Sequence, residues 1–400
     1  MLNIDDHKKV PATGVADAPI LQLLFRSHFL LATIASIISL GTWALMLTLG
    51  SNLDRVMVPA VWHAHEMIFG FGATVAAGFL LTAVQTWTKQ PSLSGYPIIA
   101  LIVLWILARI GFWVNTPNSI YLAFSAQLLW WLAVIFAFGR CVINARNRRN
   151  YLFVAMLSVM AILNSAIIIS SKMGEHALAL HLCRSMVLMF VLLMTIMGGR
   201  VIPFFTANGL NVVRKPPQPW LEVSLMPLTL IAMLSFVSNF YFSTAALTAG
   251  LLVSCGLLNL MRQRHWHAEK TLKTPLLWSL HASYFCLGLG SALIGVSLVS
   301  EHIAFSHALH LITIAAMGLM IFAMMARVSL GHTGRALLPH PWINICFICV
   351  LMSALIRVLA PFLANTIWGY IASIMLWLIA ASLFLWVYTP ILFKAKQSRF

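Results

Sequence analysis

Four hundred residues would ordinarily make two or three soluble domains, but 61% of this chain is apolar and only 8% is charged, against roughly 45–50% and about 25% in soluble proteins. Nine acids and 25 bases cannot cover a soluble surface of this size, so lipid is the solvent for most of the chain, and a cytosolic enzyme, a secreted domain and a disordered protein are all excluded. The net charge of +16 would point to nucleic acid in a soluble chain; here its placement sets membrane topology and no nucleic-acid partner is expected.

A spanning helix needs about 20 mostly apolar residues. In chain order that ruler gives twelve segments, near residues 29–49, 61–86, 97–115, 120–139, 152–171, 178–199, 220–240, 242–261, 276–299, 304–326, 341–364 and 367–392. Backbone groups in lipid must be bonded within the chain, so the segments are helices and the expected fold is an all-α polytopic membrane protein. Residues 1–28, with Asp5, Asp6 and Asp17 and no small-residue cleavage site, read as a cytoplasmic tail rather than a signal peptide. Residues 29–392 form the transmembrane domain and 393–400 a second cytoplasmic tail. The connections are short and polar and leave no room for a separate soluble domain.

Twenty of the 25 bases fall on the side of the termini, among them Arg146, Arg148, Arg149, Arg262, Arg264, Lys270, Lys273, Lys394, Lys396 and Arg399. The opposite side carries only Arg55 and Lys172. By the positive-inside rule both termini are cytoplasmic. Three bases remain inside spans, Arg109, Arg184 and Arg357, in the outer halves of segments 3, 6 and 11. Charge inside a span is costly and by default functional.

The fourteen histidines are not scattered. Segment 2 opens at the outer face with His63, His65 and Glu66, segment 6 with His176 and His181, and segment 10 with His302, His307 and His310. These segments are four apart and their fragments are weakly alike, which suggests three four-helix units. Imidazole is the commonest protein metal ligand, and ligands must converge from different elements to close a site. His307 and His310 share a helix face, whereas His63 and His65 point to nearly opposite faces; His63, Glu66 and Met67 share one. The competing reading is that interfacial histidines are merely tolerated at a membrane edge.

His28, His265, His267, His332 and His340 read as loop or edge residues. His281, inside segment 9 beside Tyr284, is either a packing histidine or a second ligand site. Arg109, Arg184 and Arg357 could clamp the propionates of a haem held among the outer histidines, or they could bond backbone carbonyls. The six cysteines give no disulfide framework. Cys346-x-x-Cys349 reads as helix packing, with Cu(I) binding the lesser alternative. No Asp or Glu is expected in the middle of a span, which argues against a proton-coupled transporter or pump. Walker, dinucleotide and c-type haem motifs are lacking.

Several blocks resemble the NnrS family: Leu24-Phe-Arg-Ser-His-Phe-Leu-Leu-Ala32, Trp62-His-Ala-His-Glu-Met-Ile-Phe-Gly-Phe71, Ala77-Gly-Phe-Leu-Leu-Thr-Ala-Val84 with Trp87-Thr88 and Pro91-Ser-Leu-Ser-Gly95, Gly198-Gly-Arg-Val-Ile-Pro-Phe-Phe-Thr206, and Met325-Ala-Arg-Val-Ser-Leu-Gly-His-Thr-Gly-Arg335. The sequence departs from the pattern at His28, where a bulky aromatic or proline is expected. The resemblance implies a bacterial inner-membrane protein with haem b and copper, or another second metal, linked to denitrification and nitric oxide resistance. It implies metal ligands at His63, His65, His181, His307 and His310, with Glu66 and His281 as further candidates. Twelve helices and outer-face histidines on segments 2, 6 and 10 are also similar to the three four-helix arcs of haem–copper oxidase catalytic subunits. Here, however, segment 7 has no histidine and the His-x-His lies on segment 2 rather than 10.

These readings lead first to a periplasmic-side haem–metal centre reducing two nitric oxide molecules, with two electrons and two protons, to nitrous oxide and water. Glu66 would deliver periplasmic protons without pumping, and electrons would come from a separate quinol or cytochrome. A non-enzymatic nitric-oxide-binding protein protecting against nitrosative stress is the alternative. A metal or small-solute transporter is the third reading.

Overall fold

The computed structural model describes residues 14–50, 57–114, 116 and 118–397. Asp5, Asp6, Arg55, Arg399 and much of the expected N-terminal tail lie outside the described residues. The chain is 82% helical and has no strand among the described residues. Twelve helices are long and apolar enough to cross a membrane: α1 Leu24–Leu49, α2 Pro59–Thr88, α3 Tyr96–Trp113, α4 Ser119–Asn144, α5 Arg148–Lys172, α6 His176–Leu210, α7 Pro219–Ser238, α8 Ala245–Gln263, α9 Pro275–Ser297, α10 Phe305–His332, α11 Pro341–Phe362 and α12 Thr366–Phe393. An all-α bundle of twelve such helices is therefore the fold, as the apolar runs require.

From α3 to α12 each helix packs on the next, α2 packs on α1 and α4, and α1 closes the ring against α12. Both ends of the chain thus lie at one end of the bundle, here the terminal face; the other is the far face. Inside the ring, α2, α6 and α10 touch one another. Between 61% and 78% of their most apolar windows is buried, with α9 also at 61%, against 33–44% for α1, α3–α5, α7, α8, α11 and α12. The three inner helices are four apart, the spacing carried by the far-face histidines. The outward surfaces of the peripheral helices carry exposed Leu132, Phe136, Ile162, Leu234, Ile348 and Trp386, which suits a lipid surround. Without a hydrophobic drive between helices in lipid, close packing relies on small residues. Accordingly α8 and α9 meet at Gly256 and Gly288, where a Cβ on Gly288 would lie 3.0 Å from the Gly256 carbonyl oxygen.

Several boundaries differ from hydropathy. Helix α1 starts at Leu24, five residues before the expected span, so Arg26 and His28 lie in a helix and are buried. Arg26 reaches the end of α12, donating from Nη1 to the carbonyls of Leu392 (3.0 Å) and Lys394 (2.7 Å), groups that a helix end leaves without partners. His28 stacks on Trp130, with ring centroids 6.1 Å apart, and is a packing residue rather than an edge one. Helix α6 continues to Leu210, carrying the Gly198–Thr206 block and Pro203 within it.

Two irregularities matter for the site. Glu66–Ala73 of α2 and Leu311–Gly318 of α10 are π-helical, each eight residues long and each directly after a histidine pair. A π turn inserts an extra residue per turn and re-aims the helix faces; such turns concentrate at functional sites. In α2 the Thr74 hydroxyl donates to the Phe69 carbonyl at 2.9 Å, satisfying one backbone acceptor of the widened stretch, and accepts from Trp105 Nε1 at 2.7 Å.

Candidate haem pocket at the far face

The first turns of α2 and α10, a turn of α6, and parts of α1, α11 and α12 surround a cavity of about 300 Å³. His63, His310, Arg184 and Arg357 reach it, with Met67 and Met317 from the two π stretches and Trp43, Phe71, Ile314 and Trp377 among its apolar walls. Mostly apolar walls with a few convergent polar groups are the usual character of a cofactor pocket.

The hydrogen bonds distinguish the histidines chemically. His310 Nδ1 lies 2.6 Å from the carbonyl oxygen of Ser306, one turn back. A carbonyl only accepts, so Nδ1 carries the proton and Nε2 keeps its lone pair. This is the arrangement that orients metal-ligating imidazoles. His307 is set the opposite way. Arg357 Nη1, always a donor, lies 2.8 Å from His307 Nδ1, which must therefore accept and leaves the proton on Nε2. His63 lies flat on Trp43, with centroids 4.6 Å apart and an interplanar angle of 13°, and its buried Nδ1 has no hydrogen-bond partner. His310 has His63, His307 and Arg357 as electrostatic neighbours.

His65 belongs elsewhere. Its Nδ1 donates to Glu66 Oε1 (3.2 Å) and its Nε2 accepts from the Asn164 amide (2.9 Å), so both nitrogens are engaged. Arg109 Nη1 sits 3.2 Å from the same Glu66 oxygen, and Arg109 Nη2 donates to Gln127 Oε1. This chain from Asn164 on α5 through α2 and α3 to Gln127 on α4 is buried throughout: His65 is 0% and Glu66 1% exposed. Arg109 is bracketed by the rings of Trp105 and Phe112. Glu66 therefore faces Arg109 instead of sharing the cavity with His63 and Met67, and Arg109 is not beside Arg184 and Arg357. A buried carboxylate goes where a buried guanidinium can pair with it.

The remaining candidates are also separated. His181 stacks on Phe236 of α7 at 4.7 Å and 8°, and its Nε2 donates to the Val237 carbonyl at 3.3 Å, outside the cavity. His281 lies in the half of α9 nearer the terminal face, where Nε2 meets Thr206 Oγ1 at 2.9 Å. That hydroxyl already donates to the Ile202 carbonyl, so Nε2 donates to it and the buried Nδ1 is left bare. Ser306, Trp43, Asn164, Gln127 and Tyr370 were not singled out in the sequence. Only Ser306 carries a local signal, being four residues before His310 on the same helix face.

The pocket residues fit a haem. Apolar walls, one imidazole with a free Nε2, a second with an orphaned buried nitrogen and two guanidiniums meet in one cavity. Neither Arg184 nor Arg357 pairs with a carboxylate among the described residues; Arg184 lies over Phe305 and Arg357 over Tyr370. A copper centre is not fitted in the same way, since no three of His, Cys, Asp and Glu come together among the described residues. Cys346 is buried and Cys349 half-buried in α11, and both are free thiols.

The Gly-Gly-Arg block of α6 has a steric origin at the other end of the bundle. A side chain at Gly198 would strike the Tyr284 ring, and one at Gly199 would strike the Arg262 guanidinium. Arg262 pairs with Glu222 and also donates to the Thr195 carbonyl (2.7 Å) and to Tyr284 Oη (3.1 Å). Comparison with curated proteins finds no match. A family model described as NnrS protein matches residues 19–396. That span takes in all twelve helices and every block discussed above, and the chain belongs to the NnrS family.

Proposed function

We propose that this chain is a haem-containing inner-membrane protein that binds nitric oxide at the far-face pocket, in the nitric oxide response with which its family is linked. Positive charge on the terminal face makes that face cytoplasmic and the pocket periplasmic. The observation that carries the reading is the convergence of His63, His310, Arg184 and Arg357 on one apolar cavity. His310 would hold the iron through Nε2, and Arg184 and Arg357 would receive the propionates. A haem held there would supply an iron able to take a diatomic ligand. The Ser306 carbonyl fixes the His310 tautomer, and Trp43 and Trp377 help exclude water.

Reduction of nitric oxide to nitrous oxide is the second reading, favoured by the His65–Glu66 pair next in sequence to His63. It needs a proton path and a separate quinol or cytochrome as electron donor. Glu66 is tied to Arg109 on the side of α2 away from the cavity, so binding is the function the geometry supports best. The test is a reduced-minus-oxidised spectrum with metal analysis of the purified protein, then nitric oxide under electron supply. Haem with a stable nitrosyl signal and no nitrous oxide supports binding. Catalytic nitrous oxide replaces it with the reductase, and a preparation free of haem overturns both.

A further inference from the structure

A second cavity, of about 620 Å³, lies at the opposite end of α2, α6 and α10, where the turn between α4 and α5 closes over them. Three guanidiniums reach it, from Arg149, Arg200 and Arg327, with His332 beside them and no Asp or Glu in the lining. Arg327 lies over the Phe205 ring at 3.8 Å and makes no hydrogen bond or ion pair among the described residues. Arg200 lies over Phe153 at 5.2 Å and donates to Asn150 Oδ1 at 3.0 Å. Arg149 is exposed and sits within electrostatic range of Arg200.

Like charges gathered in one recess repel, and here no carboxylate offsets them. Stacking on a ring holds a guanidinium by its face and leaves its N–H edge free for an oxyanion. The asparagine amide of Asn147 is anchored on the Trp87 carbonyl at 3.0 Å, fixing the turn that carries Arg149 and Asn150. We propose that this cavity binds a phosphate-bearing anion, with Arg149, Arg200 and Arg327 as its partners and the aromatic floor taking an apolar portion. Two sources supply that chemistry: a soluble phosphate compound entering from the terminal face, or the headgroup of an acidic phospholipid.

Full-length protein is tested in nanodiscs of phosphatidylcholine alone with added pyrophosphate, and in nanodiscs containing phosphatidylglycerol without it, following the unfolding temperature. At least one probe raises it in wild type, and which one identifies the source. Arg327→Gln weakens the apparent affinity about tenfold, the loss of one charge-assisted hydrogen bond. Arg149→Gln, at an exposed position that packing does not need, does the same and covers the case in which Arg327→Gln does not fold. Arg264→Gln removes an equal charge from the same face outside the cavity and keeps the wild-type response. No response to either probe overturns the proposal, as does an equal loss in Arg264→Gln.

Discussion

Hydrogen-bond direction divides histidines that look equivalent in a helix map. His310 donates its Nδ1 proton to the Ser306 carbonyl and keeps the lone pair on Nε2, whereas His307 accepts from Arg357 and His65 has both nitrogens engaged. In the purified protein, His310→Ala is expected to reduce the haem signal to background. His307→Ala and His65→Ala should leave haem bound, the latter at a cost in stability. Loss of the signal in His307→Ala with full retention in His310→Ala would reverse the assignment. Glu66 tests the neighbouring chain separately. Removing one partner of a buried ion pair strands the other, typically by about 3–5 kcal/mol. Glu66→Ala should therefore destabilise the protein by about that much, measured by denaturant or thermal unfolding, while Glu66→Gln, which still accepts a hydrogen bond from Arg109, costs less. If Glu66→Ala is as stable as wild type and instead perturbs the haem spectrum, the carboxylate serves the pocket and not Arg109.

At the scale of the helix, the matching π stretches of α2 and α10 put Met67 and Met317 on the cavity while His63, four residues before Met67, and His310, seven before Met317, also face it. Deleting Ile314 should convert the α10 stretch to a tighter regular helix and change the angle between His310 and Met317 on the cavity wall. Haem binding should then be lost with helicity by circular dichroism unchanged; wild-type haem content in the deletion would show that the π stretch does not aim His310. Much at this scale was legible in the sequence. Twelve apolar runs gave twelve helices because lipid leaves the backbone no other solution, and of the histidines expected at one face of segments 2, 6 and 10, His63 and His310 share one cavity in the fold. What composition could not show is where helices continue past their apolar cores, as α1 does to bring Arg26 to α12 and α6 does through Pro203. Nor could it show which way Glu66 turns. Regular spacing put it with His63; its buried partner Arg109 on α3 put it on the other side, and pairing across helices leaves no trace in local periodicity.

For the whole molecule, the two cavities described lie at opposite ends of the same three helices and share no lining residue. On α2 the far-face cavity ends at Phe71 and the other begins at Phe79; on α6 the limits are Val187 and Met197, and on α10 Met317 and Met324. At 1.5 Å per residue this leaves roughly 10–15 Å of packed helix between them. Phe190, Met194, Met320 and Phe322 fill it, all at most 8% exposed. Close packing of this kind leaves no continuous water path between the two cavities, which weighs for the haem pocket over the transporter reading. Proteoliposomes should show no protein-dependent uptake of copper ions, nitrite or phosphate in either direction. Phe190→Ala combined with Met320→Ala should open the plug, shown by reaction of a cysteine introduced at Thr195 with a small water-soluble thiol reagent only in that background. Uptake by the wild type at rates above empty vesicles would mean that the packed layer opens during function, and would move the transporter reading ahead of the haem pocket.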